Sequence, residues 1–259
     1  MNNSKNEIEK EYIYRINLAL KFIDKPELSN ILRVIFASIN GITMSIIIKK
    51  KVMLQKWDDR YKEKGFAYGK EPNVFFKKWL SKFKPGTLLM PADGEGRNGV
   101  FAAQIGWKVT SFDQSIEAQS KALQLAKECK VSLEYLVDDL EHLEFKNETF
   151  DAIGLIYAHF SGDKKSMFHQ KLDSYLKPGG IVVFEAFSKK HLHYNTINPK
   201  VGGPKKIDVL FSKEEIIKDF KNYEITFLEE EEVLLNEGKY HIGKGSVIRF
   251  VGRKKVSYT

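Results

Sequence analysis

The chain has 259 residues, 42% of them hydrophobic and 12% aromatic, which suits one large domain with a sizeable core and excludes a disordered chain. The formal net charge of +8 comes from lysines scattered among Asp and Glu, with short clusters at Lys49–Lys51 and Arg253–Lys255, so a nucleic-acid partner is not expected. The single cysteine, Cys129, excludes a disulfide framework and fits a reducing compartment, read here as the cytoplasm.

Residues 1–52 read as a helical N-terminal extension. Ile8, Tyr12, Ile16, Ala19, Leu20 and Ile23 recur at helical spacing. Residues 31–48 are largely apolar and then meet three lysines, which is near the lower length of a membrane span. Arg33, Ser38, Asn40, Gly41, Thr43 and Ser45 make insertion costly, so a packed or dimerising helix is favoured over membrane association. A natural start at Met53 is a third reading, and the domain proper is expected over residues 53–259.

From Met53 the elements follow in order. Pro72 opens a helix whose apolar side is Val74, Phe75, Phe76, Trp79, Leu80 and Phe83, stopped by Lys84-Pro85-Gly86. Leu88, Leu89 and Met90 form a first strand that runs into Gly94-Glu95-Gly96-Arg97-Asn98-Gly99. A helix patterned from Val100 follows, ending near Ile105 and Gly106. Further strands are expected at Lys108–Phe112, Val131–Val137, Phe150–Tyr157 and Ile181–Phe187. Helices are expected after Ser115, after Asp163 and near Lys213–Asp219. Ser188 to Leu210 reads as a loop. Closing strands are expected at Glu224–Leu234 and Ser246–Gly252, around the turn Asn236-Glu237-Gly238. The pattern predicts an α/β fold: a doubly wound, mostly parallel seven-stranded sheet ending in an antiparallel pair.

The glycine stretch spells G-x-G-x-x-G, and glycines after a strand let backbone N–H groups approach a ligand. What the stretch binds is decided by the acids at the following strand ends. Asp93 or Glu95 lies in the first loop, Asp113 ends the second strand, and Asp138-Asp139 end the third. A carboxylate after the second strand can accept both hydroxyls of a ribose, and one after the third can accept an adenine amine. No second glycine-rich loop follows a strand, so adenosine with an amino-acid tail fits better than a dinucleotide. An NAD-type oxidoreductase and a non-catalytic binding protein are the alternatives.

The segments WDDRY, YGKEPN, PADGEGRNGVFAAQIGWKVTSFDQS, FDAIGLIYAHF, LKPGG, FEAFS, GGPK and EGKYHIGKG together resemble the class I S-adenosylmethionine-dependent methyltransferases, closest to the small bacterial branch of tellurite-resistance and thiopurine methyltransferases. The resemblance implies the Rossmann-like methyltransferase fold, S-adenosyl-L-methionine as cofactor and a small-molecule methyl acceptor, and it tilts the acceptor toward a soft nucleophile such as a thiol. It implies cofactor contacts at Asp93, Gly94, Glu95, Gly96, Asn98, Asp113, Gln114, Asp139, Leu140 and Tyr157. Many relatives carry an acid where this chain has Met90.

On the acceptor side the resemblance implies Tyr157 and His159 as catalytic residues, with His159 open to a second reading as a satisfied structural histidine. Glu185, the loop Gly202–Lys205, His241 and Lys244 are further pocket candidates. The segment Trp57 to Asn73 is expected to fold over the cofactor, with Tyr61, Tyr68 and Asn73 touching it. His191 and His193 lack a third ligand at useful spacing, so no metal is expected.

Overall fold

Strands covered on both faces have no polar side to show, and the central strands here are apolar without alternation: Leu88, Leu89 and Met90, then Ile153 and Leu155, then Val182, Val183 and Phe184 are all buried. The computed structural model describes residues 54–256. The expected N-terminal extension and its apolar stretch lie outside the described residues. Among the described residues, no helix is long and apolar enough to cross a membrane.

Seven strands form one sheet: β1 (Thr87–Pro91), β2 (Lys108–Asp113), β3 (Glu134–Val137), β4 (Phe150–Ile156), β5 (Leu176–Phe187), β6 (Tyr223–Glu237) and β7 (His241–Lys254). Their order is β3-β2-β1-β4-β5-β7-β6, with β1 to β5 parallel and β7 antiparallel to both β5 and β6. The order reverses between β1 and β4, which opens a crevice at the carboxyl ends of the strands. This is the expected doubly wound, mostly parallel seven-stranded sheet with its antiparallel pair.

The described helices are α1 (54–62), α2 (Val74–Leu80), α3 (Arg97–Gln104), α4 (Ile116–Glu128), α5 (Lys165–Tyr175), α6 (His191–Ile197) and α7 (Lys213–Asp219). Capping explains several starts. Asn73 accepts from the Phe76 N–H, Ser115 accepts from Ala118, and Ser212 with Glu215 completes a reciprocal capping box. Phe168, Leu172, Phe211, Phe220 and Phe250 belong to one core layer, and Phe75, Phe76, Leu80, Phe101 and Trp107 to another. Truncating Phe250, which stacks on Phe220 at 5.0 Å, should cost about 3–5 kcal/mol.

The differences from the sequence reading have local causes. Lys177-Pro178-Gly179-Gly180 belongs to the start of β5, where the pairing with β4 shifts register between Phe150 and Ala152. The expected loop after Ser188 contains α6, whose seven residues are too short for a clear period. The closing strands are longer at both ends and continue to Glu237 and His241. Their tip reaches the segment before α2, where the Lys239 N–H donates to the Ala67 carbonyl at 2.8 Å.

Candidate active site

The glycine loop takes its shape from backbone conformations that side chains disfavour. Ala92 and Gly94 have φ of 51° and 55°, and Gly96, at 80°, caps α3 without any side-chain bond. A Cβ on Gly96 would lie 2.5 Å from the Ala122 methyl, so α4 packs on the loop only because the methyl is missing. Asp93 turns beneath the loop, accepting from the Ser111 hydroxyl at 2.8 Å and the Gly99 N–H at 3.4 Å. Burial pushes its pKa up to about 7, against the pull of those two bonds.

Asp113 ends β2 beside the loop. It accepts from the Gly94 N–H at 3.2 Å and the Ser115 N–H at 3.1 Å, and burial raises its pKa to about 6. The third strand end is tied to the second, since the Asp138 N–H donates to the Asp113 carbonyl at 3.1 Å. Asp139 is half-buried there and accepts from the Glu141 N–H, Leu140 is fully buried against the core, and Gln114 is exposed. Gly94, Asp113, Asp139 and Leu140 thus occupy the carboxyl ends of three neighbouring strands.

Glu95 and Asn98 face another way. Glu95 accepts from the Ala67 N–H at 2.7 Å and from Lys121 at 2.9 Å, and Asn98 accepts from the Asn73 N–H at 2.9 Å. Both side chains tie the loop to the segment before α2. That segment lies over the glycines: the Tyr61 hydroxyl is 2.8 Å from where a Gly94 Cβ would stand, and Trp57 stacks on Tyr61 at 5.7 Å. Burial, followed by the Asp113 charge, raises the Tyr61 pKa well above the ordinary value. Ser115 donates to Asp58, and Arg60 donates to the Tyr68 hydroxyl at 2.7 Å. Met90, at the position where relatives carry an acid, packs against Gly154 and takes no part in the loop's polar contacts.

A cavity of about 480 Å³ opens at the carboxyl ends of β4 and β5, and its walls include Asn73, Val74, Tyr157, Glu185, Glu237 and Arg249. Glu185 and Arg249 face each other in register across β5 and β7, and the Arg249 Nε donates to Glu185 at 2.6 Å. The Asn73 amide bridges Glu185 at 2.6 Å and Glu237 at 3.3 Å. Tyr157 is a non-glycine residue at φ 53°, a strained conformation of the kind that clusters at functional sites. Its hydroxyl is buried without a hydrogen-bond partner among the described residues. Burial first, then the Glu185 and Glu237 charges, hold its pKa well above the usual range.

His159 is placed differently. Its Nδ1 lies 3.2 Å from the Val209 carbonyl, its Nε2 accepts from the Phe187 N–H at 3.5 Å, and its ring stacks on Phe187. Burial lowers its pKa to about 4, so the ring is neutral and both nitrogens are committed to backbone. Tyr157 packs against the same Phe187 ring at 4.8 Å. His241 reaches the site, with its ring 4.7 Å from Tyr157, whereas Lys244 pairs with Glu232 on an exposed face. Gly202 accepts from Asn195 and from the His191 ring, away from the cavity, and the other His191 nitrogen accepts from the Ser246 N–H.

Sequence reasoning missed three charged residues: Arg97, Glu237 and Arg249. Arg249 could have been found, because Glu185 and Arg249 stand at matching positions of strands expected to neighbour each other. Arg97 and Glu237 pair at 3.0 Å across 140 residues, and no local signal announces such a pair.

Residues 89–180 match the family described as a methyltransferase domain. No curated protein sequence matches the chain. Among solved structures, the chain is similar to a protein of echinomycin biosynthesis, solved in work on converting a disulfide bond into a thioacetal group. The TM-score is 0.64 at 16% identity, covering 80% of this chain and 94% of that one. It is similar to TehB from Haemophilus influenzae, with TM-score 0.55 and 16% identity over 70% of this chain and 61% of that chain. It is also similar to the N-methyltransferase NodS from Bradyrhizobium japonicum, with TM-score 0.53 and 15% identity over 70% and 93%. The half-buried carboxylate at the end of β2, the left-handed glycines beside it and the apolar Leu140 are the groups an adenosyl cofactor with an amino-acid tail calls for, so the residues present fit it. Residues 89–180 therefore carry a methyltransferase domain, which marks the chain as a methyltransferase with S-adenosylmethionine as the implied cofactor, and the fold is the Rossmann-like methyltransferase fold.

Proposed function

We propose that the enzyme methylates a small-molecule acceptor through a soft nucleophile, with a thiol as the first candidate. The observation that carries this reading is the lack, among the described residues, of an uncommitted base on the side chains that define the pocket. Glu185 is held by Arg249 and Asn73, Glu237 by Arg97 and His241, and both His159 nitrogens are used by backbone. A phenol with a raised pKa, as at Tyr157, donates a hydrogen bond and does not take up a proton. An acceptor that brings its own lone pair needs no base.

S-adenosylmethionine, when bound, supplies an electrophilic methyl group on a sulfonium. In this reading Asp113 accepts the ribose hydroxyls, Gly94 and Gly96 pass the methionine part, and Asp139 with Leu140 meets the adenine. Asp93 shapes the loop from beneath, and Glu95 and Asn98 hold its cover. Gln114 stands exposed beside Asp113, open to the same ligand. Tyr157 presents its hydroxyl to the acceptor, and Trp57 to Asn73 excludes water. Alignment of the two reactants in a closed site supplies on the order of 7–11 kcal/mol of the barrier. The neighbour from echinomycin biosynthesis comes from work on converting a disulfide bond into a thioacetal group, which supports a sulfur acceptor. The single cysteine supports placing the protein in the cytoplasm.

The test is methyl transfer to a panel of thiols, a selenide and primary amines, with kcat/KM followed against pH. The expected result is preference for the soft acceptors, with rates tracking the fraction of thiolate. Turnover of amines alone would overturn the soft-acceptor reading.

A further inference from the structure

Arg97 is the first residue of α3, the helix that begins at the last left-handed glycine of the loop. A helix start repels a cation, and α3 has no acidic residue in its first turn to offset that. The Arg97 side chain is only 9% exposed. A cation so placed needs a counter-charge from elsewhere, and it comes from the far end of the chain. Glu237, the last residue of β6, receives Arg97 at 3.0 Å on the carboxylate oxygen that also faces the His241 Nδ1 at 3.0 Å. Its other oxygen accepts from Asn73 at 3.3 Å.

Each of these partners leads to a different part of the site. Arg97 also donates to the Tyr68 and Glu71 carbonyls, within the segment that covers the glycines. His241 packs on Tyr68 at 4.6 Å and on Tyr157 at 4.7 Å, and Asn73 continues to Glu185 in the cavity wall. We propose that Glu237 is a positioning residue for methyl transfer: through Arg97 it fixes the glycine loop and its cover, and through His241 and Asn73 it fixes Tyr157 and the pocket wall. The inference rests on the cofactor reading above.

Burial works against the Glu237 charge, but the His241 hydrogen bond and the Arg97 guanidinium outweigh it and bring the pKa to about 2. Burial keeps His241 below its usual value, against the pull of Glu237. The neutral His241 ring therefore donates from Nδ1 to an ionised Glu237 at neutral pH, which sets its tautomer and its angle to Tyr157. Replacing the carboxylate by an amide keeps the shape and leaves Arg97 without a counter-charge.

The experiment uses the full chain as wild type, Glu237→Gln, Glu237→Asp and Asp151→Asn. S-adenosylhomocysteine affinity is measured by calorimetry, and amide hydrogen exchange without ligand is read over residues 66–71 and 97–100. Asp151 holds Thr87 and Lys177 at the opposite end of the sheet, so its variant reports loss of stability alone. The expected result is that Glu237→Gln weakens binding at least about tenfold and speeds exchange in both segments, with Glu237→Asp recovering part of both. Asp151→Asn should leave both unchanged. An affinity within twofold of wild type and unchanged exchange in Glu237→Gln would overturn the inference. So would an Asp151→Asn variant that loses affinity in the same proportion to stability. If wild type binds no S-adenosylhomocysteine, the cofactor reading itself fails, while the exchange data still report whether Glu237 holds the cover.

Discussion

Across the switch point between β1 and β4, the two walls of the crevice are held by ties of different reach. On the glycine side Asp93 meets Ser111 across 18 residues, and Gly94 meets Asp113 across 19. On the pocket side Asn73 meets Glu185 across 112 residues, Arg97 meets Glu237 across 140, and Arg249 meets Glu185 across 64. The first wall is largely backbone shape set by one strand-loop-helix unit. The second is a buried charge cluster assembled only when the last hairpin has docked. A mutation should therefore act locally on the first wall and through several elements on the second.

The sharpest break in that comparison is Arg249→Met. Glu185 is 1% exposed, so losing its cation leaves a buried charge unpaired, at a cost of about 3–5 kcal/mol. Denaturant unfolding checks it, and Arg249→Met with Glu185→Gln should recover part of the loss, whereas two independent sites would simply add. On the glycine wall, Gly96→Ala should cost about 2–4 kcal/mol, because the new methyl meets Ala122 in a left-handed backbone. Hydrogen exchange should show that damage confined to the start of α3 and the middle of α4.

These two sites also show what could be read in advance. Gly96 was legible because glycine after an apolar strand has a local meaning, and Asp113 because a strand's end can be placed from its pattern. The charge cluster was not, since Glu185, Glu237 and Arg249 are each ordinary strand residues until the sheet order β5-β7-β6 sets them together. His159 stood at the expected strand end, yet tertiary packing turned both its nitrogens to backbone. Glu95 and Asn98 were found as residues of the loop, but the side on which they act depends on where the segment before α2 lies.

A pH measurement sharpens the glycine wall further. Asp93 has its pKa raised from 3.8 to about 7, so it binds its proton more tightly folded than unfolded. Its contribution to stability is present at low pH and is lost as pH rises from about 4 through 7. Asp93→Asn should gain on wild type across that rise, by on the order of 2–4 kcal/mol, and level off above it. His159, lowered from 6.5 to about 4, has the opposite sign: its contribution is lost as pH falls from 6.5 to about 4, and a His159→Gln variant should lack that loss. Paired unfolding curves against pH separate the two.

The smallest expected effect lies at the pocket mouth. Val74 and Leu234 are 76% and 82% exposed there, so Val74→Ala and Leu234→Ser should change stability by less than about 0.5 kcal/mol. If they border the acceptor, acceptor KM should rise while S-adenosylhomocysteine affinity stays constant.

Thermal unfolding of the full chain with S-adenosylmethionine or NAD, in wild type and Asp113→Ala, decides which cofactor the glycine wall holds. At a hundred times its dissociation constant, a ligand of the folded state stabilises by about 2.7 kcal/mol. That shift is expected with S-adenosylmethionine, is expected to be lost in Asp113→Ala, and is expected to be absent with NAD. A shift with NAD alone, or one with S-adenosylmethionine that survives the loss of Asp113, would contradict that expectation.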